Sequence, residues 1–373
     1  MRYVVLIFTS VVLLLTNVKC SKTEPVADGT RSFYMGTTPW PADFTFSEVD
    51  TAYRFINDHC DIVSHHFDDG IPYDEAFNNT PMPPNFVQDV QTRLTKTAAG
   101  KKIMLSIAAL AGFRIVKADY YNNAPTPNNI KDYWRQLPVN NSKVITAYVN
   151  YVSWLVDRFH PIYVNFGVES NSSGWDPAQF ILYKSFIAQV YPQLKLKYPN
   201  IPFYISFIVD ETNEGFNYAS QLIGYTDLIG LSAYPYVTVS SSANGNTDPA
   251  NFPTNYFDKF SNLSTSKGLI FAETGYIAED LHIPSYNLNK LGTAAWQKAY
   301  LELLLKFCND KRAKIFIWFC SKDYDAGNNT LRNLGLFRDY FMLWQDTGLK
   351  DESGKERPAY SSWINWMKKL RVE

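Results

Sequence analysis

The chain has 373 residues, 46% of them hydrophobic and 16% aromatic, with 35 basic side chains against 36 acidic ones. A large packed core follows from these proportions, and extended disorder is excluded. So even a charge balance supplies no basic patch for nucleic acid or an anionic membrane surface, and neither is expected as a partner.

In chain order, the opening MRYVVLIFTSVVLLLTNVKCSK has one basic residue, an apolar stretch from Val4 to Leu15 and then polar residues. That is the layout of a secretion signal over 1–20, with a mature domain over 21–373 and a secreted, extracellular location. The stretch is too short to span a bilayer, so stable membrane insertion is not expected. The alternative is a lipid anchor through Cys20, which calls for a small residue where Lys19 sits. Cys60, Cys308 and Cys320 then remain, too few and too odd in number for a disulfide framework.

Eight short apolar runs follow, rich in β-branched and aromatic residues and bounded by turn residues: 32–40, 60–70, 101–110, 162–170, 201–210, 227–236, 268–276 and 313–323. Near-continuous apolarity is the mark of strands buried on both faces of a parallel sheet. Helical patterns lie between them. Ser47-Glu48-Val49-Asp50 reads as a capping box; Val144, Ile145, Tyr148, Val149, Val152, Leu155, Val156 and Phe159 keep one apolar face; a further helix is expected from about Ala294 to Asn309. Pro358 opens a last one. Eight strand–helix pairs predict an α/β protein, a single-domain (β/α)8 TIM barrel, since no glycine-rich phosphate loop follows any strand to favour an open doubly wound sheet. The polar run 236–255 reads as a long loop on the C-terminal face of that barrel.

Side chains at the C-terminal strand tips of such a barrel converge on one axial cleft. The tips offer Trp40, then His65, His66, Asp68 and Asp69, Ser106, Glu169, Asp210 and Glu211, Tyr234 and Tyr236, Glu273, and finally Trp318 and Asp323. Aromatic surface beside carboxylates suits a sugar, whose C–H faces need flat apolar partners. Glu169 and Glu273, ending the fourth and seventh runs, are placed to face each other across the mouth. Cleavage of a glycosidic bond with retention asks for two carboxyl groups about 5–5.5 Å apart, one to protonate the leaving oxygen and one to attack the anomeric carbon. Tyr234 at the neighbouring tip is placed to donate to Glu273. The His65-His66 pair with Asp68-Asp69 raises a metal reading, but adjacent strand residues point to opposite faces, so at most one histidine enters the cleft. No metal and no cofactor is expected; His66 and Asp68 are assigned instead to sugar hydroxyls.

The segments NFGVESN with Glu169, GLSAYPY with Tyr234, FAETGY with Glu273, IWF with Trp318 and the closing TGLKDESGKERPAYSSW together resemble the clan of retaining (β/α)8 glycosidases, nearest to its endo-β-1,4-galactanase-like branch. The resemblance implies a carbohydrate substrate, Glu169 as acid and then base, and Glu273 as the nucleophile of a two-step displacement. Together with the strand-tip positions it makes Trp40, His66, Asp68, Asn171, Tyr234, Tyr236, Trp318 and Asp323 the expected substrate-binding residues. Members of that clan generally carry Asn just before the acid, where it meets the sugar 2-hydroxyl; here that position is Val168. Asn171, His66 or another tip residue replaces it, or the substrate lacks that group; a carbohydrate-binding protein without turnover is the alternative.

Overall fold

In a computed structural model the described residues are 29–111, 113–239 and 245–372. The expected signal segment and Cys20 lie outside them. Among the described residues eight parallel strands close into a barrel: β1 (Tyr34–Thr37), β2 (Ile62–Phe67), β3 (Lys102–Ile107), β4 (Tyr163–Gly167), β5 (Phe203–Ile208), β6 (Ile229–Ala233), β7 (Leu269–Thr274) and β8 (Ile315–Trp318). Each falls inside one of the eight apolar runs. Neighbours in the barrel are neighbours in sequence, and β8 closes the ring on β1 through Ile315↔Tyr34 to Trp318↔Thr37. The chain is a single-domain (β/α)8 barrel, as its run spacing predicts.

The covering helices are α1 (Phe46–His59), α2 (Pro84–Lys96), α3 (Ser142–Phe159), α4 (Pro177–Lys197), α5 (Asn213–Leu222), α6 (Asp258–Ser261), α7 (Ala294–Asp310) and α8 (Pro358–Met367). Their starts are chemically marked. Asn141, Asp176, Thr212 and Thr293 cap α3, α4, α5 and α7 through side-chain oxygens, and Pro358 sits in the first turn of α8. The cap of α1 lies two residues before the expected Ser47: Thr45 accepts from the Glu48 amide, because its extended backbone leaves its hydroxyl facing the first orphan N–H groups. The segment 236–255 is less open than expected, with a helical turn over Pro235–Thr238 and another over Pro249–Asn251; positions 240–244 of that segment lie outside the described residues.

Strand alternation divides the interior in two. Ile62, Met104, Tyr204, Ile270, Ala272, Ile315 and Ile317 fill the barrel, while the opposite faces of the same strands pack on the helices in one continuous layer. Toward the C-terminal ends the inward positions turn polar, with Ser106, Asn165, Ser206 and Ser232 all buried. The two ends of the described part of the chain are clasped together where Thr30–Arg31 pairs with Leu370–Arg371.

Candidate active site

The polar upper layer carries a small pocket lined by His66, Ser106, Asn165, Val168, Glu169, Ser206, Ser232, Ala272 and Glu273. Strand geometry explains how two distant glutamates come to share it. On β7 the inward residues are Ile270 and Ala272, so period two would turn Glu273 toward the helices. The register of β7 with β6 shifts between Phe271 and Glu273, and with β8 between Phe271 and Thr274. That irregularity re-aims Glu273 into the pocket beside Ala272, as bulges at barrel rims do. A second shift, between Asn165 and Gly167 of β4 against β5, lies just before Glu169. Glu169 itself has φ 52°, the left-handed region that costs a side chain roughly 1–2 kcal/mol.

The two carboxylates keep different company. Ser232 Oγ donates to Glu169 Oε1 at 2.6 Å, and Arg114 Nε donates to Oε2 at 3.0 Å. The Glu169 amide donates to Ser206 Oγ at 2.9 Å. Arg114 also grips both oxygens of Asp68, at 2.7 and 2.9 Å. Burial alone would lower the Arg114 pKa, but Asp68 and Glu169 outweigh it and leave the guanidinium above its ordinary value. Glu273 instead accepts from Tyr234 Oη at 2.6 Å through Oε1, and its Oε2 lies 3.6 Å from His66 Nδ1. Burial pulls the His66 imidazole down, yet Glu273 and Asp68 push it further up, so its pKa stands above the usual value. Its Nε2 is buried and has no hydrogen-bond partner among the described residues.

The expected site residues separate into those around the pocket and those built into the frame. His66, Glu169 and Glu273 line the pocket, Tyr234 stands behind Glu273, and Asp68 is joined to Glu169 through Arg114. His65 points the other way, against Tyr53 and Phe159. Trp40 is 38% exposed and packs beside Phe319 and Tyr324.

Four expected substrate contacts are placed elsewhere. Trp318 is fully buried with its indole N–H on the Thr347 carbonyl, because Ile315 and Ile317 take the inward positions of β8 and leave Phe316 and Trp318 facing the helices. The next inward position is Phe319, which packs against Trp40 and Trp344. Asn171 is fully buried, bridging the backbone of Ile208 and the carbonyl of Gly215. Tyr236 is buried with its hydroxyl on the Leu343 carbonyl. Asp323 is buried, accepts from the Gly348 amide at 2.7 Å and pairs with Arg357 at 2.6 Å. Sequence reasoning missed Arg114, Ser232, Phe319 and Trp344. Phe319 alone was accessible in principle, by counting strand parity from Ile315.

Carboxylate oxygens of Asp323, Asp325 and Asp346 lie within 4.8 Å of one another, as do those of Glu279, Asp323 and Glu352. Arg357 supplies the positive charge there, 2.5 Å from Glu279 and 2.6 Å from Asp323.

No protein-family model and no curated protein sequence matches the chain. Solved structures do. The GH53 catalytic domain of Ignisphaera aggregans superposes with a TM-score of 0.56 at 16% identity, over 91% of this chain and 97% of that one. Xylanase 10B of Thermotoga maritima gives 0.56 at 14% identity, over 90% and 95%. A beta-glucuronidase from an uncultured Clostridium sp. gives 0.54 at 12% identity over 91% of this chain, which spans only 50% of that larger protein. At such identities the likeness is one of fold, and the fold is that of (β/α)8 glycoside hydrolase structures.

Proposed function

We propose that the protein is a secreted glycoside hydrolase that cleaves an O-glycosidic bond of a poly- or oligosaccharide with retention of configuration. The observation that carries this reading is that Glu169 and Glu273 line one pocket at the C-terminal mouth while being held by different partners. Two equivalent carboxylates would compete for one role; two in different settings divide the work.

The pocket they line holds about 10 Å³ of free space, room for a single water, so the sugar ring lies above it toward the loops. Tyr234 fixes Oε1 of Glu273 and leaves Oε2 as the atom that attacks the anomeric carbon. Glu169 protonates the departing oxygen, and after the leaving sugar has gone it takes a proton from water, whose oxygen displaces Glu273. His66, with its unpartnered Nε2, is a donor to a ring hydroxyl. Trp40 and Phe319 form an aromatic wall beside the mouth.

The test replaces Glu273 with Gln, an isostere that cannot attack. Hydrolysis of an aryl β-glycoside is expected to fall by several orders of magnitude, with sugar binding retained. The parent's first-formed product, followed by NMR, is expected to keep the substrate's anomeric configuration; inversion or undiminished turnover would refute the assignment.

A second reading, sugar binding without turnover, is favoured by one feature: both oxygens of Glu169 are already engaged, by Ser232 and Arg114. Apolar Val168 in the pocket points the same way. A parent protein that binds oligosaccharide yet releases no reducing ends over days would select it.

A further inference from the structure

Outside the barrel mouth, where the C-terminal end of β2 meets the tops of α2 and α3, the surface opens into a cavity of about 270 Å³. Its inner wall is aromatic. Phe67, Phe86, Tyr121 and Tyr151 are all at least nine-tenths buried, and Phe86 touches the other three at ring-centroid distances of 5.3 to 6.1 Å. Its rim is polar and rich in acceptors, from Asp69, Asp89 and Asn85. The shape is fixed by the backbone: Ile71 and Tyr121 exchange strand-like hydrogen bonds with Asp119 and Ile71, and Gly70 sits at φ +93°, where a Cβ would lie 2.8 Å from the Asp119 carbonyl.

Tyr151 marks this cavity as more than a surface dent. Its side chain is 1% exposed, it lines the cavity, and its hydroxyl has no hydrogen-bond partner among the described residues. That hydroxyl is not among the buried atoms shut off from solvent without a partner, so it is open to the cavity, where a ligand can reach it. Several neighbouring donors are already engaged: Arg93 Nε is on Asp89 at 2.8 Å and its Nη1 on the His66 carbonyl, and Asn85 Nδ2 is on the Asn123 carbonyl. What remains open is mostly acceptors, on both Asp69 oxygens, the second oxygen of Asp89 and the amide oxygen of Asn85.

A complementary ligand must therefore bring several donors into a space of one ring. A metal ion fits poorly, since Asp69 and Asp89 belong to no cluster of three ligating atoms among the described residues. Free cationic ligands meet Arg93 already paired with Asp89. We infer that this cavity is a second sugar-binding site, taking a single neutral pyranose unit through its hydroxyl donors to Asp69, Asp89, Asn85 and the Tyr151 hydroxyl. The sugar class rests on the proposed function; the site itself shares no lining residue with the glutamate pocket. Asp69 follows Asp68 directly, so a chain held here lies one strand end away from the mouth.

The experiment titrates the Glu273→Gln protein with methyl β-D-galactopyranoside and methyl β-D-glucopyranoside and follows backbone amides by ¹H–¹⁵N NMR. Saturable shifts at Gly70, Asn85 and Asn123 are expected for at least one of the two. Adding Tyr151→Phe or Asp69→Ala is expected to weaken that binding by about tenfold, the loss of one or two hydrogen bonds. Tyr151→Phe is also expected to leave the melting temperature unchanged, because no internal bond is lost. Shifts confined to residues around Glu169, or affinities unaltered by both substitutions, would overturn the proposal. Absence of hydrolysis by the parent protein would count against the catalytic reading alone, since the titration reads binding at a separate place.

Discussion

The hydroxyl of Tyr234 is the sharpest lever on the proposed nucleophile. It is buried, donates to Glu273 Oε1 at 2.6 Å, and no other donor reaches that oxygen among the described residues. Burial, followed by the nearby Glu273 charge, holds the phenol well above its ordinary pKa, so it remains a donor across the working range of any glycosidase. A hydrogen bond to a charged group contributes about 1.5–3 kcal/mol. Tyr234→Phe therefore lowers kcat roughly 10- to 150-fold if the bond orients the attacking carboxylate. KM should hardly move, because the hydroxyl faces Glu273 and Tyr234 does not line the pocket. The assay is steady-state hydrolysis of an aryl glycoside, with a melting curve to show that the ring still packs against Tyr236 and Trp344. A folded variant with unchanged kcat would refute the idea that Tyr234 prepares Glu273 for attack.

Two further outcomes concern stability. Burial, then Asp325 and Glu279, push the Asp346 carboxyl up to about 7 from 3.8. Between those values the folded protein holds a proton that the unfolded chain has released, so unfolding releases it and stability falls as pH rises from about 4 to 7, by a few kcal/mol at most. Asp346→Asn should flatten that slope, seen in melting temperatures from pH 4 to 8; an equally steep slope would remove Asp346 as its source. At the chain ends Arg31 is 3% exposed, pairs with Asp61 at 2.7 and 3.1 Å, and donates to the Trp366 carbonyl at 3.2 Å. Arg31→Met strands Asp61 and should cost about 3–5 kcal/mol, read as a lower denaturant midpoint at constant slope; a midpoint shift under 1 kcal/mol would show the clasp to be ornamental.

The barrel was legible because its physics is local. Strands buried on both faces must be apolar throughout, helices between them must show one apolar stripe, and both patterns survive in a single sequence. The site was legible only as far as strand tips reach. Period two, counted from Ile315, puts Trp318 outside and Phe319 inside, so the misplacement of Trp318 was a failure to count parity rather than a lack of signal. Glu273 shows the converse: strict alternation from Ala272 would exclude it, and only a register shift that no local pattern announces turns it inward. Arg114 was out of reach altogether. It comes from a connecting segment, and its meaning depends on Asp68 and Glu169, residues 46 and 55 positions away.

That same Arg114 sits where the backbone is least at ease. Among the described non-glycine residues with positive φ, Asn79, His160, Asn287 and Arg312 terminate helices, the ordinary reason for such a conformation. Phe113, Arg114 and Glu169 do not. Phe113 and Arg114 lie in the turn of a hairpin between Leu110–Ala111 and Val116–Lys117, where consecutive left-handed residues are normally Asn and Gly. Each of these two large side chains has a contact to set against that cost. Arg114 reaches Glu169 and Asp68, while Phe113 crosses to Tyr340 in the segment after β8, with ring centroids 6.1 Å apart. One strained turn thus ties the proposed acid to Asp68 and sets a ring against the segment after β8. Backbone strain of this kind concentrates at sites where geometry matters more than stability, which is the independent reason to place the chemistry at Glu169 rather than at the better-packed acids around Arg357.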